Sequence, residues 1–190
     1  FRADDPVNAL TPYARSKAEA ERVVCATLAG QTEVVVVRAP MVYGPDAPGN
    51  FSRLVRLVAR GWPLPFAGIE NRRSMVSVWN LCDFLIVAST HPHAFDVHAV
   101  GRPWLVSDGA DISTTQLVQS IAAVLDVPAR LFRVPRALIA AAAAAVGRAG
   151  ELERLFGSFT LDLSETRERL NWQAPMPMPE GIARALQRAG

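Results

Sequence analysis

The amino-acid sequence predicts an α/β protein built on a parallel β-sheet. Three observations support this class: a helix with clear start and stop signals over 11–30, an unbroken run of valines over 34–37, and a loop rich in proline and glycine over 39–50. Four valines without polar alternation are typical of a strand that is buried on both faces. A helix followed by such a strand is half of a βαβ unit, and ligands of open α/β sheets bind at the carboxyl ends of the strands. The sequence therefore predicts a ligand site in the loop after the valines.

The first helix is the best defined element. Thr11 is a suitable N-cap, Pro12 fits the first helical position, and Gly30 supplies the stop. Asn50 is predicted to cap a second helix over 51–60. The later elements follow from similar signals and are predicted as strands at 73–78, 104–107 and 131–134, helices at 80–90, 113–125, 135–148 and 164–170, and a short amphipathic helix at the end. The small residues of 135–148 predict a buried, closely packed helix.

Composition and charge narrow the class of partners. The 190 residues, half of them hydrophobic, can bury a sizeable core and fit one domain or a large part of a two-lobed one. The chain has twenty basic and eighteen acidic residues, so its net charge is close to neutral, and it has no basic arm. We therefore expect no nucleic-acid partner. The longest apolar run, 137–146, is far shorter than the ~20 residues that span a bilayer, and we expect no membrane partner.

The cysteines and histidines predict neither a disulfide nor a metal site. Cys25 and Cys82 lie in apolar helical patterns, which indicates buried thiols in a reducing compartment and predicts a cytoplasmic location. His91, His93 and His98 are close in sequence, with a proline between the first two. We expect them to lie in a surface loop rather than to bind a metal.

Tyr13 and Lys17 form the sharpest chemical pattern. Lys17 is the only lysine, since every other basic residue is an arginine. Residues four apart on a helix share one face, with about 5–6 Å between their Cβ atoms. A neighbouring ammonium favours the phenolate form of a tyrosine, so the phenolic oxygen can exchange protons with a sugar or alcohol hydroxyl nearer neutral pH. The spacing fits a catalytic acid/base pair, and an ordinary pair on a helix surface is the alternative.

Five motifs occur in the order in which one enzyme family carries them. They are the Tyr13-x-x-x-Lys17 spacing, the loop at 38–45, the pair at 50–51, and the segments at 71–74 and 170–172. Together they resemble the extended short-chain dehydrogenase/reductases, and within them the NAD-dependent epimerase/dehydratase family, which acts on nucleotide sugars. The resemblance covers essentially the whole chain.

The resemblance implies the second part of a Rossmann-type parallel sheet, interleaved with a smaller α/β substrate-binding lobe over 1–190 and without a clear internal boundary. No G-x-x-G-x-x-G pattern occurs in the chain, so we expect the dinucleotide-binding half to lie upstream of Phe1. The chain alone is therefore predicted to be inactive.

The implied cofactor is NAD, with NADP as the alternative, because the residue that distinguishes them belongs to the upstream half. The resemblance implies that Tyr13 is the acid/base acting on the sugar hydroxyl and that Lys17 binds the nicotinamide ribose. Ala39 and Pro40 would lie beside the nicotinamide.

The resemblance also assigns a site for a UDP-sugar. Asn50 matches the family position that contacts the phosphates and Arg73 the position that clamps them, and a guanidinium fork suits a diphosphate. Leu64 and Phe66 match the segment along the uracil, with core packing as the alternative for Phe66. The further substrate residues are Met41, Phe51 and Arg154.

The chain departs from the family pattern at two further positions, and the first of them leaves the reaction open. Met41 stands where many epimerases have an asparagine that touches the substrate, which is similar to the branch that reduces 4-keto UDP-sugars in surface-polysaccharide synthesis. Trp79 stands at a helix start where aspartate is usual, so we expect the loss of a cap.

The expected function is a 4-epimerase of UDP-glucose or UDP-N-acetylglucosamine. A UDP-4-keto-sugar reductase or dehydratase, and a truncated binding module without catalysis, are the alternatives. The resemblance also implies a homodimer.

Overall fold

A computed structural model describes residues 1–95, 102–145 and 156–187. Helices and strands are mixed along these ranges, and two of the strand pairs are parallel, which confirms the predicted α/β class. In chain order the elements are α1 (Pro12–Leu28), β1 (Val37–Arg38), β2 (Met41–Tyr43), α2 (Asn50–Ala59), β3 (Arg73–Ser77), α3 (Val78–Thr90), a 3₁₀ turn (Pro92–Phe95), β4 (Trp104–Leu105), β5 (Asp111–Ile112), α4 (Thr114–Val124), α5 (Arg136–Ala145), α6 (Ser164–Leu170) and α7 (Met178–Leu186).

The strands form two small sheets. β1 pairs in parallel with β4, whereas β2 pairs in parallel with β3, and β3 pairs antiparallel with β5. Only Ala39 and Pro40 separate β1 from β2. The chain therefore leaves one sheet and enters the other at the start of the predicted ligand loop.

The valine run differs from its prediction. The strand begins at Val37 rather than at residue 34, because β4 pairs only with Val37 and Arg38. Val36 contributes its carbonyl oxygen alone, which accepts a hydrogen bond from the amide of Trp104 at 2.8 Å. All four valines are half-buried, so the predicted burial on both faces is wrong for this chain.

Helix starts follow their capping signals more closely. The Thr11 hydroxyl accepts a hydrogen bond from the Ala14 amide at 3.1 Å, as the predicted N-cap requires. At α4, Ser113 and Gln116 form a reciprocal capping box, with the Ser113 hydroxyl accepting from the Gln116 amide at 3.1 Å. The predicted cap at Asn50 is wrong, because Gly49 precedes the helix with a φ of 96° and Asn50 is already helical.

α3 keeps a cap despite the tryptophan at its start. The Ser77 hydroxyl accepts a hydrogen bond from the Asn80 amide at 3.1 Å, so the expected loss of a cap is wrong. Trp79 instead packs under Arg184 of α7, whose guanidinium carbon lies 4.5 Å from the ring centroid. Cys82 on the same helix is exposed, which corrects the prediction of a buried thiol, and Cys25 is only half-buried.

Two other predicted elements also differ. β5 has no counterpart in the sequence prediction, and the strand predicted at 131–134 is reduced to a single bridge between Leu131 and Leu64. The alanine-rich helix α5 is not buried: among its described side chains Ile139 is half-buried and the others are exposed, with Leu138 at 62%. Residues 146–148 of that prediction lie outside the described ranges.

Among the helices of the described residues, none combines the length and apolar character that a bilayer crossing requires.

The core consists of two apolar clusters on either side of β2 and β3. Met75 faces one cluster and Val76 the other, since successive strand residues point to opposite faces, and both are fully buried. The first cluster includes residues of α2, α4 and α7. The second includes Phe84 of α3 and Trp172, whose rings meet edge to face at 4.9 Å. These clusters hold β2, β3 and α2, which carry Met41, Arg73 and Asn50, whereas α1 contributes no residue to either cluster.

Candidate functional site

Tyr13 and Lys17 lie one above the other on the exposed surface of α1. The Lys17 Nζ atom is 5.8 Å from the centroid of the Tyr13 ring, and Tyr13 is 73% exposed. Neither side chain forms a salt bridge or a side-chain hydrogen bond with the residues that the structure describes. Both polar groups are therefore accessible to a ligand from solvent.

Glu21 and Arg38 connect this helix to the end of β1. Arg38 donates to the Glu21 carboxylate from Nε at 3.1 Å and from Nη2 at 2.8 Å, a bidentate pair with 32% and 22% of the two side chains exposed. Glu21 follows Lys17 by four residues, so it lies on the same helix face as the tyrosine and the lysine. The pair therefore sets the distance between the Tyr13 face and the strand end that precedes Ala39.

The segment assigned to the nicotinamide lies at the junction of the two sheets. Ala39 is exposed and Pro40 is half-buried. Met41 begins β2, pairs with Met75 of β3, and packs its half-buried side chain against the first apolar cluster. The thioether thus occupies a largely apolar environment, in which an asparagine amide would have needed hydrogen-bond partners.

Asn50 and Phe51 begin α2 with opposite orientations. Asn50 is exposed, whereas Phe51 is 2% exposed and packs against Tyr43 with 5.4 Å between ring centroids. The Phe51 side chain thus has a packing role in this chain. Its contact with a substrate stays a prediction, and only the exposed Asn50 offers an accessible polar side chain here.

Leu64 and Phe66 belong to an extended segment that pairs with residues 130–132. Leu64 is buried in the first cluster, and Phe66 is half-buried at its edge. The Phe66 carbonyl accepts a hydrogen bond from the Thr115 hydroxyl at 2.6 Å, which holds this segment on the first turn of α4. Core packing, the alternative for Phe66, therefore explains the part of its side chain that is buried.

The two arginines at the start of β3 have different surroundings. Arg72 is exposed and donates to Asp111 at 2.9 Å. Arg73 is half-buried, and this burial lowers the pKa of its guanidinium from the ordinary value. The Arg73 backbone is held between Ile112 and Phe159 by strand-type pairing. The predicted partner Arg154 lies outside the described residues, as does His98.

A buried polar network was not foreseen from the sequence. The Tyr43 hydroxyl donates to the Asp108 carboxylate at 2.6 Å, and the same carboxylate accepts from the Ser77 amide at 2.9 Å and the Asn80 side chain at 2.7 Å. Burial, followed by the hydrogen bond to Asp108, raises the pKa of the Tyr43 phenol well above its ordinary value. The sole local signal was the Asp108-Gly109 turn after a predicted strand. The network fixes the end of β2, from which the loop to Asn50 departs.

An open cavity of about 470 Å³ lies on another part of the surface, beside the start of α4. Its lining includes Glu70, Arg72 and Asp111, and none of the predicted site residues. Within 1–95, 102–145 and 156–187, no three His, Cys, Asp or Glu side chains converge as a metal site would require.

The comparison with known families agrees with the resemblance. The model of the NAD dependent epimerase/dehydratase family matches residues 2–101, more than half of the chain. The chain is also similar to the UDP-glucose 4-epimerase of Vibrio cholerae, with 36% identity over 189 residues that cover 98% of this chain and 56% of that protein. The chain therefore belongs to the NAD dependent epimerase/dehydratase family. It spans about half the length of the curated relatives it matches.

Solved structures share the fold. The UDP-glucuronic acid 4-epimerase from Bacillus cereus, in complex with NAD, matches with a TM-score of 0.72 and 15% identity over 97% of this chain and 53% of that chain. MoeE5, in complex with UDP-glucose and NAD, matches with a TM-score of 0.68 and 22% identity over 97% of this chain and 57% of that chain. These neighbours agree with the expected Rossmann-type arrangement.

Proposed function

We propose that the full-length protein is an NAD-dependent nucleotide-sugar epimerase of the UDP-glucose or UDP-N-acetylglucosamine 4-epimerase type. The observation that carries this proposal is the Tyr13 and Lys17 pair, exposed on α1 and tied by Glu21 and Arg38 to the strand end before Ala39. Family membership and the similarity to the Vibrio cholerae enzyme support the same reaction class.

The residues of this chain fit one wall of a cofactor site. Lys17 presents an accessible ammonium that can donate to ribose hydroxyls, and Ala39 and Pro40 present small, rigid backbone at the end of a parallel strand. When bound, NAD supplies the acceptor and donor of a hydride. NADP is the alternative, since the residues that would distinguish the two cofactors follow an earlier strand.

Tyr13 moves the proton of the reaction. Its phenolic oxygen takes the proton of the sugar hydroxyl as the carbonyl forms, and it returns that proton when the hydroxyl is restored on the other face of the sugar. The Lys17 ammonium, 5.8 Å from the centroid of the Tyr13 ring, is the proposed electrostatic partner of the phenolate that forms during the reaction. Asn50 and Arg73 are the proposed contacts to the diphosphate, and the segment at 64–66 is the proposed support for the uracil.

One observation favours a second reaction of the same family. Met41 packs into an apolar environment where an asparagine that contacts the substrate is usual among epimerases. A UDP-4-keto-sugar reductase, with the same roles for Tyr13 and Lys17, is therefore the second candidate.

The deciding experiment incubates the full-length protein with UDP-glucose and UDP-N-acetylglucosamine without added cofactor, and separates the products by anion-exchange chromatography. Conversion without net cofactor consumption supports the epimerase. Stoichiometric oxidation of NADH or NADPH on a 4-keto UDP-sugar would instead establish the reductase. In either case, Tyr13→Phe should abolish turnover while UDP-sugar affinity stays nearly unchanged. Normal turnover of that variant would refute the acid/base role, and binding without any turnover of the wild type would favour a binding module.

A homodimer is a further part of the proposal. α1 buries no residue in the described structure, and Val23 and Val24 are 45% and 46% exposed. Light scattering on the full-length protein, with Val24→Glu as the variant, tests whether this helix lies in a subunit interface. The cytoplasmic location stays a prediction, which fractionation of cells would test.

A further inference from the structure

The strongest feature that the proposed reaction does not use is a group of arginines and aromatic rings at the end of α2 and on the segment 130–133. All of its members are exposed, and Trp62 and Phe132 keep 59% and 45% of their surface in solvent. We name it the arginine–aromatic surface and define it as Arg56, Arg60, Trp62, Arg130, Phe132 and Arg133.

Backbone pairing brings the two segments of this surface together. The Leu64 amide donates to the Arg130 carbonyl at 2.8 Å, and the Phe132 amide donates to the Leu64 carbonyl at 3.1 Å. The guanidinium carbon of Arg130 lies 4.0 Å from the position that a Cβ atom on Gly61 would occupy. Arg130 therefore lies over the turn that ends α2. The Arg133 guanidinium lies farther along the paired segment, with its Nε atom 3.3 Å from the position that a Cβ atom on Gly68 would occupy.

The positive charge of this surface is not neutralised within the described part of the chain. None of its four arginines forms a salt bridge there, whereas Arg38 and Arg72, elsewhere in those residues, each pair with a carboxylate. Arg56 lies in the last turn of α2, where a cation offsets the negative end of the helix dipole. That explanation does not extend to Arg130 and Arg133, which lie in an extended segment.

An exposed apolar helix face follows these arginines closely in the sequence. α5 begins three residues after Arg133, and its exposed side chains include Ala137, Leu138, Ala141 and Ala144. These positions follow the i, i+1, i+4, i+7 spacing of one helix face. Leu138 alone leaves 62% of its surface in solvent.

We infer that the arginine–aromatic surface, together with the apolar face of α5, docks the protein on an anionic phospholipid membrane. Arginines near an anionic bilayer are attracted by its surface potential, and tryptophan is favoured at the boundary between headgroups and acyl chains. An exposed apolar helix face can lie in that boundary. A nucleic acid would also attract arginines and aromatic rings, but it offers no apolar layer for the α5 face. The inference extends beyond the proposed reaction and does not depend on it. It departs from the expectation of no membrane partner, which rested only on the lack of an apolar run long enough to span a bilayer.

The test is cosedimentation of the full-length protein with vesicles of phosphatidylcholine alone and of phosphatidylcholine with phosphatidylglycerol in equal amounts. We expect binding to the anionic vesicles only, and weaker binding as salt rises. The variant Arg130→Gln/Arg133→Gln should bind about 25-fold more weakly, since each arginine near an anionic surface contributes about fivefold. Arg22→Gln/Arg167→Gln has the same net charge with substitutions on α1 and α6, and it should bind as the wild type does.

Trp62 supplies an independent measurement. It is the only exposed one of the four tryptophans, all of which lie in the described ranges. Its fluorescence should shift to shorter wavelength when anionic vesicles are added, and Trp62→Phe should lose this shift while it still sediments with vesicles. This readout does not require the arginine variant to fold.

Three results would overturn the inference: no binding to anionic vesicles, equal loss of binding in both paired variants, or binding to poly(U) in the absence of binding to vesicles. Phosphate groups also occur in UDP, so the affinity of the wild type and of the arginine variant for free UDP is measured as well. If the Arg130→Gln/Arg133→Gln variant loses UDP affinity and keeps its vesicle binding, these arginines belong to the nucleotide site and the inference fails.

Discussion

Arg38 at the end of β1 holds Glu21 of α1 in a bidentate ion pair, with donor–acceptor distances of 3.1 and 2.8 Å. This contact joins the helix that carries Tyr13 and Lys17 to the strand that ends just before Ala39 and Pro40. α1 has no buried residue in the described structure, so apolar packing within this chain contributes little to its position. The ion pair therefore has a larger part in orienting Tyr13 than a surface pair of the same type would have.

The first prediction concerns this pair. Glu21→Gln in the full-length enzyme should lower kcat by roughly tenfold to a hundredfold, because displacement of a catalytic group by about 1 Å can cost a factor of about 10². UDP-sugar affinity should change much less, since the proposed contacts to the diphosphate and the uracil lie on other elements. Steady-state kinetics and equilibrium binding measure the two effects.

The same helix offers a matched control. Arg22 and Glu19 also form a short ion pair, at 2.6 Å, but both side chains are largely exposed and both residues belong to α1. Glu19→Gln should leave kcat unchanged. The charge swap Glu21→Arg/Arg38→Glu should recover part of the activity that each single change removes. Equal effects of the two glutamine variants would contradict the positioning role.

The second prediction concerns pH. The pKa of Tyr43 is raised by burial, so its contribution to stability is complete below the pKa of an unfolded tyrosine, about 10, and is lost as the pH rises through the higher folded value. Above about pH 10 the free energy of unfolding should fall by up to roughly 1.4 kcal/mol per pH unit from this group. Tyr43→Phe should remove that part of the slope in urea unfolding between neutral and alkaline pH.

The cost of this substitution at neutral pH should be about 1–3 kcal/mol, because Asp108 loses a hydrogen bond in a buried position. Tyr13→Phe removes the exposed tyrosine and is the matched control. An unchanged alkaline slope in Tyr43→Phe would show that the Tyr43 proton does not couple to folding.

The third prediction tests the contact that replaces the expected aspartate. Arg184 lies over the Trp79 ring at 4.5 Å, within the range of a cation–π interaction. A double-mutant cycle with Trp79→Leu and Arg184→Gln should give a coupling energy of about 0.5–1 kcal/mol in urea unfolding. Additive effects of the two changes would mean that the ring packs only through its apolar surface.

Local signals explain which elements could be predicted. The Thr11 and Ser113 caps act within three residues of themselves, so they identify helix starts from sequence alone. The extent of β1 depends instead on a partner strand 67 residues farther along the chain, and no local pattern contains that information. The cap at Gly49 escaped prediction because a backbone φ of 96°, rather than a capping side chain, ends the preceding loop.

The candidate site shows the same limit. The spacing of Tyr13 and Lys17 is local, and the structure reproduces their stacking on α1. The network between Tyr43 and Asp108 joins residues 65 apart, so it could not be read from either segment. Likewise, a formal net charge of +2 conceals the arginine–aromatic surface, because its arginines come from two distant segments that only the fold brings together.

The last prediction concerns the glycine of α7. A Cβ atom on Gly181 would lie 2.5 Å from the Tyr43 hydroxyl and 3.3 Å from the Ser77 Cβ atom. Tyr43 cannot withdraw easily, since its hydroxyl is bonded to Asp108. Gly181→Ala gains about 1 kcal/mol of helix propensity, but overpacking typically costs about 1–3 kcal/mol, so we expect net destabilisation in urea unfolding.

The partner of this clash can be removed separately. Tyr43→Phe deletes the oxygen that a Gly181→Ala methyl would meet, so the double variant should be more stable than the sum of the two single effects predicts. Ala183→Gly, in the same helix, calibrates the propensity change without a contact to Tyr43, and should cost about 1 kcal/mol. If Gly181→Ala stabilises the protein by that same amount, α7 lies farther from β2 than the structure indicates.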